Sequence, residues 1–158
     1  RGSPLGHALR EGAGASLDRL GRVVVEPDLT LPGRPEIVVV GDLAHCRAAT
    51  GEPLPAVAQV ALQQGRYAAR LVAARLRGRT LPPFRYRDYG AMATIGRAAA
   101  VVQLRRLRLA GHLAWLLWLV VHLMGLVQFQ NRLLVLLQWA WNYFTRNRSA
   151  RLITGGPR

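Results

Sequence analysis

The feature that most constrains this chain is a run of 19 residues without a formal charge, "LAGHLAWLLWLVVHLMGLV" at 109–127. A helix of this length and polarity could cross a bilayer. Arginines lie on both sides of the run, so charge gives no direction of crossing: Arg105, Arg106 and Arg108 come before it and Arg132 after it. The next apolar segment, "LLVLLQWAWNYF", has only 12 residues, too few to return through a bilayer.

The second apolar segment is amphipathic at helical spacing. One face carries the polar residues Asn131, Gln138, Asn142, Thr145 and Ser149, and the other carries Leu133, Leu136, Leu137, Ala140, Trp141 and Phe144. We therefore predict amphipathic helices that lie in the membrane interface over 109–158. The expected membrane contacts are Trp115, Trp118, Trp139, Trp141 and Arg132. A buried core hairpin, a dimer interface and a spanning hairpin stay open as alternatives.

The charge of the chain predicts an anionic partner. The net charge is +14, all 22 basic residues are arginine, and no acidic residue follows Asp88. Because the arginines of the C-terminal part flank apolar runs, we expect an anionic membrane surface and no nucleic acid. The lone Cys46 excludes an internal disulfide, and the four histidines lack ligand spacing, so no metal site is expected.

The first half of the chain has the pattern of an α/β domain. The opening "RGSPLGHALREGAGASLDRLGR" predicts loop with at most one helical turn. "RVVVEPDLTL" predicts a short strand, and "GRPEIVVVGD" predicts a second. The unbroken apolar residues 37–40 indicate a parallel strand covered on both faces. Gly41 and Asp42 follow at its carboxyl end, where ligands bind in open α/β sheets; alternatively, Asp42 only starts a turn.

A long helix is predicted over 55–77, with a proline near its start and Gly78 as its C-cap. Gln59 and Gln63 share a face of this helix. Gly65 costs about 1 kcal/mol relative to alanine in a helix interior, so we expect another group to come close there. Small apolar residues and amides at a helix N-terminus suit a flat, polar-edged ring, and the helix dipole favours an electron-rich group. A surface helix with solvated glutamines is the alternative.

The segment after this helix predicts a small antiparallel sheet over 81–108. Phe84, Tyr86 and Asp88 alternate with Arg85, Arg87 and Tyr89, and Gly90 and Gly96 mark turns or bulges. The predicted organisation is therefore an α/β part at 1–80, a β segment at 81–108 and membrane-associating helices with a basic tail at 109–158.

Four segments in order resemble the C-terminal part of type II NADH:quinone oxidoreductases, the non-proton-pumping NADH dehydrogenases. They are "GRVVVEPDLTLPGRPEIVVVGDLA", "LPAVAQVALQQG", "PFRYRDYGAMATIGR" and "HLAWLLWLVVHLMGLVQFQNRLLVLLQWAWNYF". The resemblance implies an α/β fragment at the end of a Rossmann-like flavoprotein with two dinucleotide domains. It also implies FAD as cofactor, NADH as substrate, a membrane quinone as acceptor, and a peripheral place on the cytoplasmic face of the membrane. A homodimer through the C-terminal helices is a further expectation.

The resemblance also implies roles for individual residues. Asp42 would hold the ribityl hydroxyls of FAD, and Gly41 beside it is also expected to contact the cofactor. Ala58 and Gln59 would lie beside the isoalloxazine ring. Gln59 and Gln63 would line the quinone pocket, where Gly65 would allow close packing.

This sequence does not contain the motif that binds dinucleotide phosphates. It has no G-x-G-x-x-G motif and begins with Arg1, so we interpret it as an inactive fragment with no catalytic residue of its own. The competing hypotheses are a non-catalytic basic membrane anchor or assembly module, and a related sulfide- or ferredoxin-linked flavoprotein.

Overall fold

A computed structural model describes residues 3–48, 50–104, 107–126 and 128–145 of this α/β chain. The chain divides into two compact units, Arg1–Asp88 and Tyr89–Arg158. Some residues used in the sequence predictions lie outside the described part: Arg105, Arg106, Ser149 and the rest of the basic tail.

The first unit opens with a helix where the sequence analysis predicted loop. Helix α1 spans Pro4–Ala13, and the Ser3 hydroxyl accepts a hydrogen bond from the Leu5 amide at 3.3 Å. Gly14 ends the helix in the left-handed conformation. The loop prediction is wrong because it relied on the Gly- and Ser-rich composition. The same segment also contains helix-capping residues and an apolar stripe at Leu5, Leu9 and Ala13.

The strands of the first unit are short and form two separate pairs. Strand β1 (Val23–Val24) pairs in parallel with β4 (Ala44–His45), whereas β2 (Thr30–Leu31) pairs antiparallel with β3 (Arg34–Val38). The prediction of a parallel strand for 37–40 is therefore wrong within the described residues. The two-residue turn at Pro32 and Gly33 reverses the chain and makes the pairing antiparallel.

The residues of this apolar run also differ in burial. Val39 is buried in a core cluster, but Val40 is 36% exposed, so the run is not covered on both faces. The single predicted strand over "RVVVEPDLTL" is divided into β1 and β2 by a turn around Pro27 and Asp28.

Helix α2 spans Ala58–Arg75 and lies inside the predicted range of 55–77. At its C-terminus the Gly78 amide donates to Arg75 O at 3.0 Å and the Arg79 amide donates to Ala74 O at 2.9 Å. With Gly78 at a φ of 66°, these are the bonds of a Schellman motif, and the predicted cap is confirmed. The buried face of α2 joins one core cluster, made of Leu29, Cys46, Leu54, Val60, Tyr67 and Leu71.

The segment after α2 runs back along the helix without forming a strand. The Tyr67 hydroxyl donates to Pro82 O at 2.9 Å, and the Tyr67 and Phe84 rings meet edge to face with centroids 5.5 Å apart. The Phe84 amide donates to Pro27 O at 2.8 Å. The strand predicted over 84–89 is wrong, because this main chain bonds to a loop and to side chains of α2 instead of a neighbouring strand.

The second unit contains the small antiparallel sheet that the sequence predicted, at a later position. Its strands β5 (Ala91–Gly96), β6 (Ala99–Leu104) and β7 (Leu107–Gly111) are paired in that order. One face of the sheet packs against helix α3, His112–Gly125. The cluster between them contains Met92, Ala100, Val102, Leu104, Leu109, Ala114, Trp115, Leu117 and Trp118.

Helix α4 (Phe129–Thr145) packs on α3 mainly through aromatic rings. Trp118 stacks on Trp139 with ring centroids 5.4 Å apart, and Trp115 contacts Tyr143 at 5.7 Å. The earlier residue of α3 contacts the later residue of α4 in these two pairs, so the two helices are antiparallel. None of the described helices is long and apolar enough to cross a membrane.

Candidate functional site

The turn at Gly41 sits directly against helix α2. Gly41 starts a short 3-10 turn, Gly41–Leu43, with a φ of 70°. A Cβ built on Gly41 would lie 3.7 Å from the Ala61 Cβ. The Gly41 amide donates to Gln64 Oε1 at 2.6 Å. The predicted Gly-Asp motif and the predicted ligand helix are therefore joined by a hydrogen bond.

Gln64, which accepts this hydrogen bond, is a residue that the sequence analysis missed. Its side chain is 1% exposed and is among the largest fully buried side chains. Its place in the sequence does contain a signal. Val60, Gln64, Tyr67 and Leu71 have the spacing of one buried helical face. A glutamine in that apolar series needs a hydrogen-bond partner inside the protein, and here the partner is Gly41.

Exposed groups lie next to this contact. Asp42 is exposed on the 3-10 turn. The alternative prediction was that Asp42 only starts a turn, and a turn is present at this position. At the N-terminus of α2, the N-cap residue Val57 makes no side-chain hydrogen bond to the helix. Ala58 is exposed and Gln59 is half-buried. An exposed carboxylate, a glycine turn and a helix end without a capping side chain fit the polar chain and flat ring of a flavin.

The Gln63 amide forms hydrogen bonds to the main chain of the segment that follows α2. Its Nε2 donates to Arg87 O at 2.8 Å, and its Oε1 accepts from the Arg87 amide at 3.0 Å. Gly65 is exposed, and a Cβ added to it would meet no atom of the described residues within 4 Å. The close neighbour expected at Gly65 is thus not found in the described part of the chain.

An ionic cluster anchors β4, the strand that follows the Gly41 turn. His45 Nδ1 lies 2.9 Å from Asp18 Oδ2, which also accepts from Arg22 Nε at 2.7 Å. Burial by itself would raise the pKa of Asp18. Hydrogen bonds from the main chain and side chain of Arg22, from His45 and from the Leu20 amide outweigh burial and hold that pKa well below its usual range. The carboxylate therefore fixes the loop at 18–22 to the strand.

The predicted membrane contacts divide into two groups. Trp115, Trp118 and Trp139 are half-buried in the packing of the second unit, whereas Trp141 is 67% exposed. Arg132 turns toward the end of α3, where its Nε donates to Leu126 O at 2.9 Å and its Nη2 to Met124 O at 3.2 Å. Several other apolar side chains of the two helices are exposed: Leu113, Val120, Met124, Phe129, Leu133, Leu134, Leu137 and Phe144.

Comparison with known proteins finds relatives of this chain. Residues 89–147 match the NDH2 C-terminal domain. Over 157 residues, 96% of this chain, the sequence is 44% identical to the type II NADH:quinone oxidoreductase NdhA of Mycobacterium tuberculosis. The chain matches the C-terminal part of type II NADH:quinone oxidoreductases. It is also 41% identical over 155 residues to Ndh of the same organism, and 35% identical over 119 residues to the demethylphylloquinone reductase NdbB of Synechocystis.

The chain spans about a third of the length of these family members. It covers 32% of NdhA, 32% of Ndh and 30% of NdbB. The family match extends through β5–β7 and α3 and includes α4, whereas the Gly41 turn and α2 lie in the region aligned only with the complete relatives. The second unit is therefore matched by both comparisons, and the first unit by the alignments with the relatives.

Proposed function

We propose that the protein containing this chain transfers electrons from NADH through FAD to a membrane quinone. The observation that carries the proposal is the contact between the Gly41 turn and α2, in a chain 44% identical to a type II NADH:quinone oxidoreductase. When bound, FAD supplies the hydride and electron chemistry. The chain's own residues bind and orient the reactants. The first unit then forms the end of a Rossmann-like FAD-binding domain.

The flavin side of the proposed site uses the turn and the start of α2. Gly41 lets the main chain approach the cofactor closely, and the exposed Asp42 carboxylate accepts hydrogen bonds from ribityl hydroxyls. The small side chain of Ala58 leaves room for the ring, and Gln59 offers an amide to its polar edge. The positive end of the helix dipole stabilises negative charge on that edge.

The quinone side of the site uses the next turn of the same helix. We place the quinone headgroup near Gln59 and Gly65, because Gly65 has no Cβ and leaves space beside the helix. Gln63 serves this pocket indirectly, because both ends of its amide hold the Arg87 main chain. This arrangement keeps the returning segment in place along the pocket.

The second unit serves as the membrane contact in this proposal. The exposed apolar side chains of α3 and α4, with Trp141 among them, enter the lipid interface on the cytoplasmic face. The excess of arginine over acid after Asp88 attracts anionic headgroups. Quinone then reaches the site from the lipid while the enzyme stays peripheral.

The direct test uses the full-length natural protein in mild detergent. Bound flavin is identified by its absorbance after release, and NADH oxidation is followed with and without a short-chain quinone. We expect bound FAD and NADH oxidation that depends on added quinone. A colourless protein, or one whose NADH oxidation is unaffected by quinone, would contradict the proposal and favour a non-catalytic membrane anchor.

A further inference from the structure

We infer that Gln64 is a positioning residue, which sets the place of the Gly41–Asp42 turn relative to the ligand-binding end of α2. This inference rests on the proposed function, because it assigns the turn and the helix to opposite parts of one FAD site. No role was predicted for Gln64 from its sequence context. The geometry of its side chain carries the inference.

The hydrogen bond between Gln64 and Gly41 is short and buried. Gln64 Oε1 accepts from the Gly41 amide at 2.6 Å, and the Gln64 side chain is 1% exposed. Water cannot readily replace a partner at such a buried position. Loss of the acceptor would therefore leave a buried N–H group without a hydrogen bond, or would force the turn to move.

This hydrogen bond lies next to the residues of the proposed flavin site. Ala61 and Gln64 are one turn apart on α2. Gln64 bonds to Gly41, and a Cβ built on Gly41 would lie 3.7 Å from the Ala61 Cβ. The turn therefore lies close against this part of the helix. Asp42 is the next residue along the turn, and Ala58 is one helical turn before Ala61. The distance between the two proposed flavin contacts is therefore set through Gln64.

Gln64 differs from residues that only stabilise α2. Tyr67 lies on the same buried face, but its hydroxyl donates to Pro82 O and does not bond to the Gly41 turn. Removing either hydrogen bond should destabilise the fold to a similar degree. Only the loss of the Gln64 bond should displace Asp42. Tyr67→Phe is thus a matched control.

The test compares Gln64→Leu, Gln64→Glu and Tyr67→Phe in the full-length protein. The first readout is hydrogen exchange of the Gly41 amide without cofactor, and the second is the Kd for FAD at a temperature where all variants are folded. For Gln64→Leu we expect faster exchange of the Gly41 amide and a Kd for FAD about tenfold higher. Gln64→Glu keeps an acceptor oxygen and should stay within about threefold of the wild type, as should Tyr67→Phe.

Several results would overturn the inference. One is unchanged exchange of the Gly41 amide in Gln64→Leu, and another is an equal loss of FAD affinity in Gln64→Leu and Tyr67→Phe. If Gln64→Leu does not fold, Gln64→Asn provides the same comparison, because its shorter side chain withdraws the acceptor from Gly41 and should give the same tenfold loss. A wild-type protein that binds no FAD would defeat the proposed function instead, while the exchange measurement would still test the Gly41 contact.

Discussion

At the residue scale, two adjacent glutamines of α2 hold two different segments of the first unit. Gln63 is half-buried and binds the main chain of Arg87, whereas Gln64 is buried and binds the Gly41 amide. Adjacent residues on a helix point about 100° apart, so the two side chains leave the helix in different directions. Gln59 and Gln63 are four apart in the sequence and were therefore predicted to share a face. That rule finds residues on one face, but it does not show which face is buried.

The ionic cluster at Asp18 provides a prediction at this scale. Because the pKa of Asp18 is lowered by folding, its stabilising effect is complete above the pKa of the unfolded chain and is lost as pH falls. Asp18→Asn should reduce the free energy of unfolding at pH 7 by about 1 to 3 kcal/mol. The difference from the wild type should shrink as pH falls below about 4.

Urea unfolding between pH 3 and pH 7 measures this effect. Glu52→Gln, a change at an exposed loop carboxylate, is the control and should alter the unfolding free energy by less than about 0.5 kcal/mol. A loss in Asp18→Asn that is the same at pH 3 and pH 7 would contradict the electrostatic account.

At the scale of elements, the sequence predicted those whose signals are local. The end of α2 followed from Gly78, whose left-handed conformation closes the helix. The antiparallel sheet was predicted, but its start was placed too early. The alternation from Phe84 to Tyr89 is real, yet α2 and a loop satisfy this main chain. Alternation shows that a segment is extended with two different faces, and it does not identify the hydrogen-bond partner.

Helix α4 provides a prediction that separates packing from membrane contact. Trp139 stacks on Trp118, whereas Trp141 is 67% exposed. Trp139→Ala should therefore lower the free energy of unfolding by about 2 kcal/mol, through lost burial and ring stacking. Trp141→Ala should change it by less than about 0.5 kcal/mol and should weaken binding to anionic vesicles about tenfold.

Denaturant unfolding and vesicle flotation of the two full-length variants make this comparison. Both substitutions remove the same side chain from the same helix, so each is the control for the other. Equal vesicle binding by the wild type and Trp141→Ala would contradict the proposed role of the exposed face.

At the scale of the whole molecule, composition predicted the kind of surface and resemblance predicted the chemistry. The charge asymmetry and the apolar helices are visible in the sequence, and the structure leaves many apolar side chains of α3 and α4 exposed. Trp115 and Trp118 were harder to place, because tryptophan suits both a lipid interface and a helix contact. The proposed flavin site depends on residues distant in sequence, such as Gly41 and Gln64, and only folding reveals their contact.

The central claim is that flavin and quinone meet at the start of α2, and Gln59→Leu in the full-length enzyme tests it most directly. Turnover is measured with a short-chain quinone and with a water-soluble electron acceptor that needs no quinone pocket, alongside flavin content. We expect the KM for quinone to rise about tenfold, a loss of about 1.4 kcal/mol in binding. Flavin content and turnover with the soluble acceptor should fall much less than quinone-dependent turnover. Equal losses in quinone turnover, soluble-acceptor turnover and flavin content would contradict the claim and make Gln59 a structural residue.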